Sequence, residues 1–263
     1  MIPGPWKLQL LLPAWALVAA RMGGLVMATP LFSSESVPPF VRAMLILAMS
    51  VMMLPAALPQ VPAGLTWGHV AGGMAGELVI GVLLGLAASV VFLAAQLAGQ
   101  FVAQQAGLGL GEVFNPLLEA DTTAVQQIWF YTGLIVFFGA GGANALVRVL
   151  LESFERVPPL MFLKSADGET GSMMAEFCAD TLGLTFHLAV RLAAPAMVAL
   201  LLSTMAMGLL VKTMPQFNVL TVGFAVKVGL ALLLVAMTLS GGSGPMTDAM
   251  FDALESVREV LRS

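Results

Sequence analysis

The chain has 263 residues, of which 59% are hydrophobic and only 10% charged, with a net charge of −4. Soluble domains carry about 25% charged residues, so the composition places this chain in a membrane. Its sparse charge forms no basic tract, which removes the electrostatic footing for nucleic-acid binding. Cys178 stands alone and no Cys/His cluster has metal-ligand spacing, so neither an internal disulfide nor a metal cofactor is indicated.

In chain order, the apolar segments fall at 8–29, 40–58, 70–105, 123–151, 181–211 and 217–240, giving about six helical passes by the length a bilayer requires. The first is preceded by Lys7 and contains Val18-Ala19-Ala20, a pattern that imitates a secretory signal; we read it as the first membrane helix. Arg21, Glu77, His187, Arg191 and Lys227 lie in or at the edges of these segments, and each is costly if it faces lipid. Pro13, Pro30, Pro55 and Pro195 punctuate them, and interior prolines kink helices. Such helices belong in an assembly.

Gly72-x-x-x-Gly76 and Gly81-x-x-x-Gly85 place small residues on one helix face, permitting close backbone approach within the chain or to a neighbour. The 18 methionines add deformable apolar surface. No Lys or Arg lies between Arg42 and Arg148, so the positive-inside rule has little to count. Arg148, Arg156, Lys164, Arg258 and Arg262 place the 152–180 loop and the C-terminal tail in the cytoplasm, with Glu112, Glu119 and Asp121 facing outward or into a lumen. Residues 165–176 read as a soluble connection. From 246 to 263, Met246, Met250, Ala253, Leu254, Val257 and Leu261 recur at helical spacing with charges opposite, the pattern of an amphipathic helix.

The stretch from Gln96 to Pro116 stands apart. Gln96, Gln100 and Gln104 recur at i, i+4 and i+8 and form one polar ridge on a helix, predicting lumen or subunit contacts. Gly107, Gly109 and Gly111 then free the backbone at alternate positions, and Asn115 before Pro116 is pushed out of the α region, so the helix is expected to end here in a hinge or plug. Leu78 to Gly111 holds no charged residue over 34 positions, about 50 Å as one helix against a bilayer core of about 30 Å. The run therefore either folds back as a hairpin or is sheltered by protein.

No catalytic constellation emerges. Gly107-x-Gly109 lacks the strand and phosphate-binding context of a nucleotide loop, and Gly241-Gly242-Ser243-Gly244 reads as a helix-terminating linker. With only two histidines, an enzyme is not indicated. His187 and Arg191 lie one turn apart on a helix face, either as a proton-sensitive pair or as an anchor for a neighbouring helix. Arg21 and Glu77 are candidates to pair across helices and so leave lipid.

Several patterns resemble the FliR family of flagellar export-gate proteins. They are Arg21-x-x-Gly24 before Pro30-Leu-Phe, Val37-Pro38-x-x-Val41-Arg42 leading to Pro55, Glu77 with Gly81 and Gly85, and the Gly99 to Pro116 stretch. They continue with Gly139-x-Gly141-Gly142-x-Asn144, Ser153-Phe154 with Pro158, Pro195, and Gly208-Leu-Leu-Val-Lys-Thr-Met-Pro215-Gln216-x-Asn218 ending at Lys227. Their order covers nearly the whole chain. Asn144 stands where many members are expected to carry His, which argues against a proton-linked role at that position.

The resemblance implies an all-α membrane-associated fold of kinked helical hairpins, one subunit of a helical export-gate spiral partly lifted from the bilayer plane. It implies a single export-gate domain over 1–263, with a FliP-like portion over about 1–180, a FliQ-like hairpin over about 181–245 and the tail at 246–263. It implies FliP and FliQ as partners in a core complex, FlhB and FlhA beside it, unfolded proteins in transit, and no cofactor. The location implied is the bacterial inner membrane, multi-pass, within the flagellum basal body. Gly107, Leu108, Gly109, Leu110, Gly111, Val113, Phe114, Asn115 and Pro116 become the plug of an export channel, Gln96, Gln100 and Gln104 its lumen or subunit contacts, and Arg21, Glu77, Arg191 and Lys227 intramembrane charges. The same features leave open an injectisome export-gate homologue, a secondary transporter and a purely structural scaffold.

Overall fold

The computed structural model describes residues 5–33, 37–61, 67–108, 123–160, 168–213 and 219–260. Among them the chain is built of helices: α1 (Pro5–Ala28), the single turn α2 (Pro30–Ser33), α3 (Pro39–Ala57), α4 (Trp67–Ala106), α5 (Ala124–Gly139), α6 (Gly142–Arg156), α7 (Gly168–Thr213), α8 (Val219–Gly241) and α9 (Ser243–Val260). Among the described residues, four helices are long and apolar enough to cross a membrane, or up to six if each bent pair counts as one span. The fold is all-α and membrane-embedded, as composition and periodicity indicate.

Two expectations are corrected in detail. Residues 168–176, expected in a soluble loop, form the first turns of α7, a single 46-residue helix; their Ser, Gly and acidic content suggests a loop, yet acidic residues near a helix N-terminus are favourable. The apolar segment 123–151 is two helices, broken where Gly141 adopts a left-handed φ of 80°. The alternatives for the uncharged run resolve in favour of shelter. α4 is one continuous 40-residue helix, and most of its residues from Ile80 to Ala106 are buried inside the chain. A helix apolar on most of its faces is stable where those faces are enclosed. Pro13, Pro55 and Pro195 all lie inside helices that continue through them.

Packing divides the chain into two compact units, one of Met1–Val90, Gly141–Leu182 and Met250–Ser263, the other of Val91–Ala140 and Gly183–Ala249. In the first, α1 lies against α4 with backbone meeting backbone. A methyl group on Gly24 would strike the Leu78 carbonyl oxygen, and one on Gly81 the Arg21 carbonyl oxygen. At Gly85 it would come within 2.7 Å of Leu25 O and of the Ala28 methyl. The small-residue pattern thus serves an intramolecular crossing. α9 covers this unit with Met250, Ala253, Leu254 and Val257, all buried, and Arg258 donates to Glu152 of α6 at 3.0 Å.

In the second unit the centre is Trp129 of α5, fully buried. Its ring lies 3.1 Å from where a side chain on Gly99 would begin, with Gly242 at 4.0 Å on another side. Phe92 of α4 stacks obliquely on Phe130 at 6.0 Å and on Phe137 at 5.0 Å. α5 starts in a capping box: the Thr123 hydroxyl accepts from the Gln126 amide and the Thr123 amide donates to Gln126 Oε1 at 2.7 Å, satisfying two otherwise orphaned donors.

Candidate functional site

Two places in the structure hold the residues singled out above: a buried ion pair in the first unit and the end of α4 in the second. In the first, α1 carries Arg21 and α4 carries Glu77 into the same apolar interior, where they are 0% and 1% exposed. Arg21 Nε donates to Glu77 Oε2 at 2.7 Å. Its Nη1 donates to the Ser153 hydroxyl at 3.0 Å and its Nη2 to the Val157 carbonyl at 3.0 Å. The Ser153 hydroxyl donates to Leu150 O at 2.6 Å, which turns its lone pairs toward the guanidinium. The Phe154 ring closes one face, 4.2 Å from Arg21 Cζ, where the ring quadrupole attracts a cation. The second carboxylate oxygen, Glu77 Oε1, accepts from the Leu160 amide at 3.3 Å.

A buried charge is tolerated when its partners are complete, and removing one member of such a pair costs about 3–5 kcal/mol. Here the partners come from four places: α1, α4, α6 and the turn after α6. Leu160 in that turn has φ 78°, the one non-glycine residue with positive φ among the described residues. Its side chain seats against Leu17 and Val70 and fills the notch that Gly73 leaves open. Nothing in the sequence ties Val157 or Leu160 to Arg21, because backbone groups leave no signature, and Ser153 and Phe154 show no pairing with Arg21 by spacing. The one available signal is Pro158-Pro159 directly after an amphipathic helix, which marks a rigid turn.

At the end of α4, Gly107 takes φ 85°. Its amide bonds Gln104 O at 3.1 Å and the Leu108 amide bonds Ala103 O at 3.0 Å, the paired bonds of a Schellman cap. The helix ends where the glycines predict. Of the gate-loop residues, Gly107 and Leu108 are half-buried, while Gly109, Leu110, Gly111, Val113, Phe114, Asn115 and Pro116 lie outside the described residues. On the Gln ridge, Gln96 is half-buried and Gln100 and Gln104 are exposed. Arg191 and His187 are exposed on α7 and Lys227 is half-buried on α8. No ion pair among the described residues includes Arg191 or Lys227. Of the four intramembrane charges, the structure brings together Arg21 and Glu77. No group of three or more potential metal-ligating side chains gathers among the described residues.

These features define a polytopic helical membrane protein whose polar groups are used for internal clasps and for exposed strips along its helices. The family described as bacterial export proteins, family 1, matches residues 12–253. Over 241 residues the chain is 28% identical to the flagellar biosynthetic protein FliR of Caulobacter vibrioides, covering 91% of this chain and 94% of that one. It is 25% identical to FliR of Bacillus subtilis over 88% of this chain and 87% of the relative. It is also 28% identical to the secretion system apparatus protein SsaT of Salmonella typhimurium, over 64% of this chain and 61% of the relative. The chain belongs to the bacterial export proteins, family 1.

Proposed function

We propose that this chain is a gate-forming core component of the flagellar type III protein export apparatus, passing unfolded flagellar proteins across the bacterial inner membrane. The observation that carries the assembly is α7. None of its residues from 201 to 213 is buried inside the chain, and its apolar stretch runs over 43 residues, Gly171–Thr213. At about 1.5 Å per residue that is roughly 64 Å of helix, twice the bilayer core of about 30 Å. Lipid therefore covers about half of it, and helices of other subunits cover the rest. We assign that cover to FliP and FliQ, with FlhA and FlhB working beside the complex. In this reading residues 1–180 and 181–245 are the FliP-like and FliQ-like portions. The likeness to FliR of Caulobacter vibrioides and of Bacillus subtilis, over about nine-tenths of both chains, supports the flagellar system over an injectisome.

Within the complex, Gly107 to Pro116 forms the plug. The cap at Gly107 ends α4 firmly, and the glycines beyond it permit two backbone arrangements at small cost. Leu108, Leu110, Val113 and Phe114 supply apolar groups that dewet a lumen, while the exposed Gln100 and Gln104 furnish lumen or subunit contacts. The chain acts as a passive gate and performs no catalysis. Deleting residues 108–114 tests this directly. The shortened chain is expected to co-purify with the FliP and FliQ homologues at parental yield while the membrane leaks small ions. Recovery of a solitary chain would refute the assembly, and unchanged conductance would refute the plug.

A further inference from the structure

Arg21 and Glu77 do more than neutralise each other. The turn after α6 is Val157-Pro158-Pro159-Leu160. Its two prolines have fixed φ and no amide hydrogen, so the turn behaves as one stiff piece. It offers the pair two backbone groups: the Val157 carbonyl, which accepts from Arg21 Nη2 at 3.0 Å, and the Leu160 amide, which donates to Glu77 Oε1 at 3.3 Å. Between these bonds and the Leu160 side chain in the Gly73 notch, the turn is fixed at three points. The left-handed φ of Leu160, costly for a branched side chain, is retained at the point where its amide meets the carboxylate.

We propose that the ion pair is a polarised receptacle for this turn: Arg21 and Glu77 are positioning residues that seat Val157–Leu160, and the turn dictates which of the two positions carries the cation. An acceptor faces position 21 and a donor faces position 77. Exchanging the charges preserves their attraction, yet it sets a carboxylate against the Val157 carbonyl and a guanidinium against the Leu160 amide. Simple compensation of buried charge predicts that the exchange is harmless; the polarised receptacle predicts that the turn comes away.

Disulfide trapping reads the seated turn. A Cβ on residue 73 would lie 3.4 Å from Leu160 Cγ, the place a cysteine sulfur at 160 takes, so a seated turn holds the two cysteines within reach of a disulfide. The parent for the test is the full chain in its native membrane with Gly73→Cys and Leu160→Cys, and with Cys178→Ser to remove the natural thiol. It is expected to cross-link in high yield with a mild oxidant. Adding Arg21→Lys keeps every charge but replaces the fork that spans Glu77, Ser153 and Val157 by one ammonium. Cross-linked fraction per molecule is expected to fall at least threefold, with the amount of chain in the membrane within twofold of the parent. Arg21→Glu combined with Glu77→Arg is expected to lose cross-linking at least as severely, whereas Ser153→Ala, which leaves the turn's own bonds intact, is expected to retain it. Parental cross-linking in either the Lys variant or the charge exchange would overturn the proposal.

Discussion

Gly23 and Gly24 are chain neighbours that the structure separates sharply, and an alanine at each tests the crossing of α1 with α4. A methyl group on Gly24 would collide with Leu78 O and come within 2.9 Å of Val82 N and 3.1 Å of Gly81 C, all backbone atoms of α4. Ordinary contact is about 3.5–4.0 Å, so the helices part by roughly 1 Å. Overpacking of this kind costs about 1–3 kcal/mol. Arg21 lies one turn away, and its 2.7 Å bond to Glu77 stretches beyond the usual limit of about 3.2 Å, forfeiting about 1.5–3 kcal/mol for a charged hydrogen bond. Alanine returns about 1 kcal/mol of helix propensity. The net loss for Gly24→Ala is therefore about 1.5–5 kcal/mol, a large part of a typical stability of about 5–15 kcal/mol. A side chain on Gly23 meets nothing within 4 Å, so Gly23→Ala is expected to be neutral or slightly stabilising. The measurements are the amount of chain in membranes and the thermal midpoint of the purified protein in mild detergent. Equal midpoints for the two variants would refute the backbone contact between α1 and α4.

Two further outcomes follow from single sites. Gly141 has φ 80° with open space around it, so Gly141→Ala should cost only the left-handed strain, about 1–2 kcal/mol, and Gly141→Asn should recover most of it in the same thermal assay. On α9, Met250 is fully buried and Met250→Asp should cost at least about 2–5 kcal/mol, the range for truncating a buried methionine. Arg258→Ala removes a bond whose partners are 35% and 34% exposed and should cost no more than about 1 kcal/mol. Relative amounts of full-length chain in membranes distinguish the two.

How far the sequence reaches depends on whether a feature is carried by side-chain type or by backbone geometry. A close-packing face on α4 is legible because glycines recur at four-residue spacing, while its partner α1 is not, since the same pattern serves a contact within the chain or to a neighbour. The Arg21 and Glu77 pairing is legible because charges are so scarce that each must find the other. The end of α4 is legible from Gly107. The Thr123 capping box also follows a recognisable spacing, threonine three residues before glutamine at the head of an apolar run, and marks the start of α5. What side-chain type does not encode is the Val157 carbonyl, the Leu160 amide and the left-handed turn between α6 and α7. These are backbone properties that appear only once four chain segments converge, and they change the meaning of the pair. Charge arithmetic makes Arg21 and Glu77 interchangeable; the turn makes their order matter.

The same distinction separates the two longest helices. α4 and α7 are both far longer than a bilayer requires, and although α7 carries Glu169, Glu176, Asp180, Arg191 and Lys212 where α4 carries Glu77 alone, composition does not say which of them the chain itself covers. The structure does, because buried positions run through most of α4 from Ile80 to Ala106 and are absent from α7 beyond Leu200. An apolar helix surface left uncovered in water is unfavourable, so α7 is unfinished in the isolated chain, whereas α4 leaves much less for other subunits to cover. The Gly81 and Gly85 pair of α4 is used inside the fold. On α7 the large residues Leu182, Val198, Leu202, Met205 and Leu209 are exposed. Of these two helices, α7 is therefore the one expected to depend on other subunits for its cover.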